Sequence, residues 1–289
     1  MVNSEKIDQV YIIGPTASGK TDLSLKIALQ FDGEIIAADS RTVYKGLDIG
    51  TAKPSKSQQK LVQHWGIDLV GPNDQFNVSK FQYYARNKIE DIKKRGKLPI
   101  IVGGSGLYVD ALLYNFTFSR PNKTKRDMLQ NLSLLELKQI IKEKGISMPE
   151  NSTNKRYLIN AIEREGQEIS KSEIPKSYLI IGLNPPKEIL KERIIKRARK
   201  MIEDGVVDEI KWAYNNYRHD SEPLKGGIYK IFRGFIQNEL SEKNALTLFK
   251  ESDMKLVKKQ ITWFKRNKKI NWFEDSASAL EFIQSKIQK

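Results

Sequence analysis

The chain has 289 residues and no cysteine, and 50 lysines and arginines against 35 acidic residues give it a formal net charge of +15. The missing cysteines exclude disulfides and thiolate metal sites, and with only His64 and His219 a structural zinc site is not expected. No apolar run suits a signal peptide or a membrane span, so we expect a soluble, cytoplasmic protein with no membrane partner. The basic surplus fits either a polyanionic partner such as nucleic acid or a general lysine bias, and charge alone does not decide between them.

Apolar runs alternate with helical patterns through the first half of the chain. Three runs, each bounded by glycine, proline or charge, predict buried parallel strands: Gln9 to Gly14, Gly33 to Asp39, and Leu98 to Gly104; Ser177 to Leu183, farther along the chain, is a fourth candidate. Helical patterns at Lys20 to Gln30 and Ser79 to Lys94 lie between them. This alternation predicts an α/β protein with a mainly parallel sheet.

The pattern changes to charged, amphipathic helix from about Pro121 to Ile174, with no strand candidate. We therefore predict a helical insertion at residues 120–175, within a core formed by residues 1–119 and 176–289. Beyond it we predict one long helix from Pro186 to Tyr217, a basic helix within residues 253–269, and a final amphipathic helix.

A phosphate-binding loop follows the first predicted strand and opens the first predicted helix. Its G-x-x-x-x-G-K-[ST] pattern consists of Gly14, Pro15, Thr16, Ala17, Ser18, Gly19, Lys20 and Thr21. The glycines let backbone N–H groups turn toward phosphate oxygens at a positive helix end, Lys20 adds a charge, and the Thr21 hydroxyl is a candidate Mg²⁺ ligand. The loop predicts a phosphate site but does not identify the phosphate.

The loop alone fits two classes of enzyme almost equally. An NTPase or kinase would hold ATP there and add an acidic Mg²⁺ ligand at the end of another strand, a role that Asp39 fits. A transferase would use the same loop to bind a pyrophosphate leaving group.

A longer segment favours the transferase over the NTPase or kinase, because it resembles a known family. Together with GPTASGKT, the stretch ADSRTVYKGLDIGTAKP (Ala38 to Pro54) closely resembles the tRNA dimethylallyltransferases, also called isopentenyl-tRNA transferases. The resemblance continues in order through HWGID, GKLPIIVGGSGLYVDALL, RIIKRARKMIEDGVVDEI and KKQITWFKR, which begin at His64, Gly96, Arg193 and Lys258.

The resemblance implies a P-loop NTPase-like core and a prenyl transfer. Enzymes of this family move the dimethylallyl group of dimethylallyl diphosphate to N6 of the adenosine 3′ to the anticodon in tRNA, releasing pyrophosphate. The loop would then hold the leaving group, with Mg²⁺ on Thr21, and the catalytic residues would be Asp39, Lys20 and Thr21. Asp39 matches the family's aspartate, which takes a proton from the adenine amine or hydrogen-bonds it; as alternatives we keep a Mg²⁺ ligand and a helix cap.

The same resemblance implies a surface for the anticodon stem-loop of tRNA. Its residues would be Asp39, Ser40, Arg41, Thr42, Ser105, Arg126, Arg156, Lys225, Lys230, Lys258, Lys259, Gln260, Trp263 and Lys265. The basic helix from Lys258 to Lys269 would supply phosphate contacts and, through Trp263 and Phe264, stacking surface. Without the resemblance, these two aromatic residues are more often core residues.

Several positions depart from the family pattern, namely Thr42, Ser105, Tyr157, Asn160, Ile228 and Ile231. The changes at Thr42 and near Ile228 predict a reshaped base pocket. Tyr157 and Asn160 stand where the family has arginines, which predicts weaker or altered tRNA contact because each lost phosphate contact lowers the electrostatic attraction.

Three hypotheses follow. The first is a monomeric tRNA dimethylallyltransferase. The second is an isopentenyltransferase that acts on free adenine nucleotides, which needs no RNA-binding surface. The third is a P-loop small-molecule kinase, or an RNA-binding protein that keeps the loop without turnover.

Overall fold

The computed structural model describes residues 6–71, 73–118, 123–165 and 170–287, and it contains a six-stranded sheet. The strands are β1 (Gln9–Ile13), β2 (Gly33–Ala37), β3 (His64–Trp65), β4 (Leu98–Gly103), β5 (Tyr178–Leu183) and β6 (Asn271–Phe273). Their order is β3-β2-β4-β1-β5-β6, and every pairing is parallel. The carboxyl ends of all six strands therefore lie on the same side of the sheet. The predicted α/β fold class is confirmed.

The described chain forms helices between and after these strands. They are α1 (Lys20–Gln30), α2 (Lys56–Leu61), α3 (Val78–Lys94), α4 (Gly106–Leu113), α5 (Lys123–Asn131), α6 (Leu134–Glu143), α7 (Lys155–Glu163), α8 (Lys187–Glu203), α9 (Val206–Asn216), α10 (Gly227–Ile236), α11 (Glu242–Phe264) and α12 (Ser276–Ile287), with a 3₁₀ turn at Pro223–Lys225. None of those described is both long enough and apolar enough to cross a membrane.

The core of the sheet explains why its strands read as continuous apolar runs. All five residues of β1 are buried, because helices lie on both sides of a parallel sheet. Leu23 and Ile27 of α1 and Ile283 of α12 pack in one cluster with Val10 and Ile12. On α3, Phe81 stacks on Tyr108 of α4 with ring centroids 4.4 Å apart.

Three sequence-based boundaries were wrong. The single helix predicted from Pro186 to Tyr217 is two helices, α8 and α9, because Gly205 between them has a left-handed φ of 93°. The basic helix begins earlier than predicted, at Glu242, and ends at Phe264, so residues 265–269 lie beyond it. The second strand ends at Ala37, two residues before Asp39.

The chain divides into two compact units, one formed by Met1–Leu113 with Ile174–Lys289 and the other by Tyr114–Glu173. The second unit contains α5, α6 and α7 around its own core, which includes Leu137, Ile141, Leu158 and Ile162. Its amphipathic helices bury one apolar stripe each against one another, and α6 begins at a capping box formed by Ser133 and Glu136.

Candidate active site

The predicted phosphate loop lies at the carboxyl end of β1, where a sharp turn requires glycine. Gly14 has a φ of 147°, and a Cβ there would lie 2.3 Å from the carbonyl oxygen of Leu183. Gly19 precedes α1 in the left-handed region, with a φ of 96°. The loop therefore wraps the N-terminus of α1, where unpaired N–H groups and the helix dipole attract an anion.

Lys20 points back into its own loop. Its Nζ donates to the carbonyl oxygen of Pro15 and lies 3.4 Å from Oγ of Ser18. Burial lowers the pKa of Lys20 to about 7; the nearby carboxylate of Asp39 opposes this shift, and the charge on Arg197 adds to it. A bound phosphate would favour the charged form of this lysine.

Two arginines of α8 lie against the phosphate loop, and neither was singled out from the sequence. Nη1 of Arg193 is 3.4 Å from the carbonyl oxygens of both Ala17 and Ser18. Nη1 of Arg197 donates to Oγ1 of Thr16 at 2.5 Å. Their spacing of four residues within RIIKRARK places both on one helix face, which is the sequence signal that could have found them.

The predicted acceptor residues meet where β2 and β4 end. The Asp39 carboxylate accepts the N–H of Arg41 at 2.7 Å, so its side chain is fixed by its own turn. Oγ of Ser105, just after β4, accepts the N–H of Ser40 at 3.0 Å. Because β2 and β4 are paired neighbours, Asp39, Ser40 and Ser105 come together beside the strand that carries the phosphate loop.

Arg41 and Thr42 continue this turn. The guanidinium of Arg41 donates to the carbonyl oxygen of Glu222. Thr42 is buried, and its hydroxyl lies 3.5 Å from the carbonyl oxygen of Asp39. Thr42 is therefore placed to support the turn that carries the carboxylate.

The predicted RNA residues of α11, with Lys265 just beyond its end, fall into two groups. Lys258, Lys259 and Lys265 are exposed. The side chains of Gln260 and Trp263 instead face the protein: Gln260 bonds the phosphate loop, and the Trp263 indole donates to the carboxylate of Asp110 at 2.8 Å. Phe264 is buried, as expected for a core residue.

The remaining predicted RNA residues of the first unit lie near α10. Lys225 is exposed at the end of the 3₁₀ turn and pairs with Glu222 at 2.7 Å, and Lys230 is exposed on α10. Ile228, one of the departures from the family pattern, is 4% exposed and packs in a hydrophobic cluster with Phe232 and Phe249. It fills core volume at this position.

Within the helical unit, Arg126 is already engaged. Its guanidinium donates to Glu163 at 2.5 Å and to the side-chain oxygen of Asn160 at 3.4 Å. Arg156 is exposed in the first turn of α7, and Tyr157 beside it is 48% exposed. Arg156 and Tyr157 are thus on the surface of this unit, where the resemblance expects RNA contact.

Fold and site together define a P-loop α/β protein with a carboxylate beside its phosphate loop. The family model described as IPP transferase matches residues 42–267. A tRNA dimethylallyltransferase of Bacillus cereus is 35% identical, with 99% of this chain and 97% of that protein covered. The tRNA dimethylallyltransferase of Halothermothrix orenii is 36% identical, with 97% and 91% covered. The chain therefore belongs to the IPP transferase family.

Solved structures agree with this assignment. The tRNA isopentenylpyrophosphate transferase of Bacillus halodurans is 30% identical and superposes with a TM-score of 0.73, covering 98% of this chain and 97% of that one. The tRNA isopentenylpyrophosphate transferase of Staphylococcus epidermidis is also 30% identical, with a TM-score of 0.71 and 97% and 98% covered. The full-length resemblance predicted from the motifs is confirmed.

Proposed function

We propose that this protein is a tRNA prenyltransferase that moves the dimethylallyl group of dimethylallyl diphosphate to N6 of the adenosine 3′-adjacent to the anticodon. The names of the relatives support tRNA isopentenylation. The observation that carries the proposal is the meeting of a phosphate loop and the Asp39 carboxylate at one edge of the sheet, close enough for Asp39 to influence the pKa of Lys20.

The chemistry is a displacement at the allylic carbon. The N6 lone pair forms a bond to C1 of the dimethylallyl group while the bond from C1 to the diphosphate oxygen breaks, and its electrons leave with pyrophosphate. Loop N–H groups and Lys20 stabilise the negative charge where it develops. Asp39 takes the proton that N6 loses. The N–H of Arg41 holds its carboxylate in place for this role.

The proposal includes a Mg²⁺ ion, with Thr21 as its protein ligand. The structure has no group of three or more acidic or histidine side chains suited to a metal among its described residues. Thr21, which is exposed at the start of α1, would hold the ion through its hydroxyl. When bound, Mg²⁺ would neutralise charge on the diphosphate.

The acceptor would be presented by an anticodon stem-loop bound to a monomer. The exposed side chains of Lys258, Lys259 and Lys265 suit phosphate contacts, and the net charge of +15 favours a polyanionic partner. A base in an RNA loop is easier to extract than one in a duplex, so we propose that the adenosine leaves its stack to reach Asp39.

The other hypotheses are less well supported. Transfer to free adenine nucleotides, ATP-dependent kinase activity and RNA binding without turnover are not favoured, because the relatives described above are named for prenyl transfer on tRNA. They remain distinguishable by product analysis.

Incubation of the purified protein with Mg²⁺, dimethylallyl diphosphate and either unmodified tRNA or AMP tests the proposal. Nuclease digestion and mass spectrometry should find N6-dimethylallyl adenosine in tRNA alone. Asp39→Asn should slow transfer by about 10²- to 10⁴-fold, the usual contribution of a positioned general base. Asp208→Asn, an exposed carboxylate on α9, is the matched control and should leave the rate unchanged. Product in AMP alone, or ATP turnover without product, would contradict the proposal.

A further inference from the structure

The inward face of α11 carries two polar side chains where apolar ones would be expected. Asp253, Val257, Gln260 and Phe264 are spaced by four, three and four residues, so they lie on one stripe of the helix. Val257 and Phe264 are buried core residues, and Asp253 is only 7% exposed. A buried polar group requires a partner, so the contacts of Asp253 and Gln260 indicate what this face does.

Gln260 uses both ends of its amide. Its Oε1 accepts the N–H of Thr16, in the phosphate loop, at 2.9 Å. Its Nε2 donates to the carbonyl oxygen of Gly104 at 3.0 Å. Gly104 precedes Ser105, which binds the N–H of Ser40. A single side chain thus connects the phosphate loop to the turn that supports the acceptor residues.

Asp253 reaches the same loop residue through an arginine. Its carboxylate accepts from Nη2 of Arg197, while Nη1 of that arginine donates to Oγ1 of Thr16 at 2.5 Å. Thr16 is therefore held at its backbone N–H by Gln260 and at its hydroxyl by Arg197. The two residues of α11 responsible are seven positions apart, two turns along the same stripe.

Side chains of α11 lie directly against the glycines of the β4–α4 turn. A Cβ added to Gly104 would lie 2.4 Å from Nε2 of Gln260, and one added to Gly106 would lie 2.3 Å from the Trp263 ring. These two inward side chains of the helix therefore lie directly on the turn, and a larger residue at Gly104 or Gly106 would have to displace them.

The outward face of the same helix carries exposed lysines instead of side chains engaged inside the protein. Lys258 and Lys259 are exposed and precede Gln260 directly. Sequence resemblance groups all three as RNA contacts, but the geometry separates the lysines, which face solvent, from the glutamine, whose amide is engaged inside the protein.

We propose that Gln260 and Asp253 are positioning residues for the diphosphate site: Gln260 acts directly on Thr16, and Asp253 acts through Arg197. The inference rests on the proposed function for the identity of donor and acceptor. Gln260 fixes the loop that receives the leaving group and aligns it with the turn that carries Ser105, whereas RNA affinity resides on the outward lysines.

Two binding measurements separate this role from RNA contact. Pyrophosphate with Mg²⁺ is titrated into the protein without RNA, and a fluorescent anticodon stem-loop is titrated without pyrophosphate. Gln260→Met keeps the length of the side chain and removes both hydrogen bonds, so the dissociation constant for pyrophosphate should rise about tenfold, as expected for two lost hydrogen bonds, with RNA binding unchanged. Asp253→Asn should also weaken pyrophosphate binding and leave RNA binding unchanged. Lys259→Met, the neighbouring control, should do the reverse.

Gln260→Glu provides a second variant. It keeps an acceptor for the N–H of Thr16, but it sets a carboxylate against the carbonyl oxygen of Gly104 and adds a negative charge beside the anion site, so its pyrophosphate affinity should fall at least as far as that of Gln260→Met. It also replaces the Met variant if thermal unfolding shows that the latter does not fold. Weaker RNA binding with unchanged pyrophosphate binding would overturn the proposal, as would no change in either or equal losses in both. Because no transfer is measured, a wild-type protein that fails to prenylate tRNA leaves this test intact.

Discussion

At the scale of single residues, Lys20 couples phosphate binding to proton binding. Its ammonium is enclosed by its own loop and donates to Pro15. Burial lowers its pKa to about 7, so the ligand-free lysine titrates in the neutral range. A diphosphate beside it stabilises the charged form and raises the pKa, so binding above pH 7 takes up a proton.

Pyrophosphate affinity should therefore fall as the pH rises from 7 to 9, by up to about tenfold per unit from this one group. Calorimetry at pH 8 in two buffers with different ionisation enthalpies counts the protons taken up. Lys20→Arg, which stays charged at these pH values, is the control, and subtracting its proton count removes the contribution of pyrophosphate itself. Equal proton counts for the two proteins would show that Lys20 is already charged in the free protein.

Glu209, which the sequence analysis did not single out, secures the loop that follows the acceptor segment. Its carboxylate accepts the N–H groups of Asp48, Ile49 and Gly50 at 2.7, 2.6 and 2.8 Å, and the hydroxyl of Tyr229 at 2.8 Å. The KGLDIGTAKP stretch is thus held in shape by a side chain from a distant part of the chain: Ile49 and Glu209 are 160 residues apart in the sequence.

Replacing Glu209 should cost more than replacing its tyrosine partner. Glu209→Ala leaves three backbone donors without their acceptor, so the free energy of unfolding should fall by about 2–4 kcal/mol. Tyr229→Phe removes one hydrogen bond and should cost about 1 kcal/mol. Urea unfolding of the two variants checks the difference, and equal losses would contradict this account of the loop.

At the scale of elements, the sequence predicts strands that have a long apolar pattern and misses short strands that form only through pairing with a neighbour. The four buried strands β1, β2, β4 and β5 were predicted from their apolar runs. The strands β3 and β6 were not, because two or three residues are too few to show a pattern. His64 is a strand residue only because it pairs with Ile35, and Asn271 because it pairs with Ile181.

Gly205 offers a direct test of the break between α8 and α9. Its φ of 93° favours glycine, and a Cβ there would meet nothing within 4 Å, so substitution costs backbone energy alone. Gly205→Ala should lower the free energy of unfolding by about 1–2 kcal/mol, and Gly205→Asn by less, since asparagine tolerates this conformation. A stabilised Ala variant in thermal unfolding would indicate one continuous helix.

At the scale of the whole molecule, the candidate site brings together segments that are far apart in sequence. The phosphate loop and Asp39 were predictable because each stands at the end of an apolar run and belongs to a motif. The contact of Arg197 with Thr16 spans 181 residues and depends on how α8 lies against the phosphate loop, which local pattern does not encode. The inward direction of Gln260 could have been read from its helical spacing to Asp253 and Val257.

The net charge of +15 makes RNA affinity sensitive to salt. The logarithm of the tRNA binding constant should fall linearly with the logarithm of salt concentration, and Lys258→Ala or Lys259→Ala should each reduce the slope by about 1 if the lysine contacts a phosphate. Lys60→Ala, an exposed lysine on α2, is the control and should leave the slope unchanged. Unchanged slopes for the α11 variants would place the phosphate contacts on other cations.

The two edge strands of the sheet affect how readily the protein aggregates in a crowded solution. The edge strands β3 and β6 are two and three residues long, whereas the strands between them have five or six. An edge that short offers a neighbouring chain little backbone to pair with, and short edges are a common protection against sheet extension. The protein therefore keeps its long, apolar strands in the interior of the sheet, where they do not nucleate aggregation.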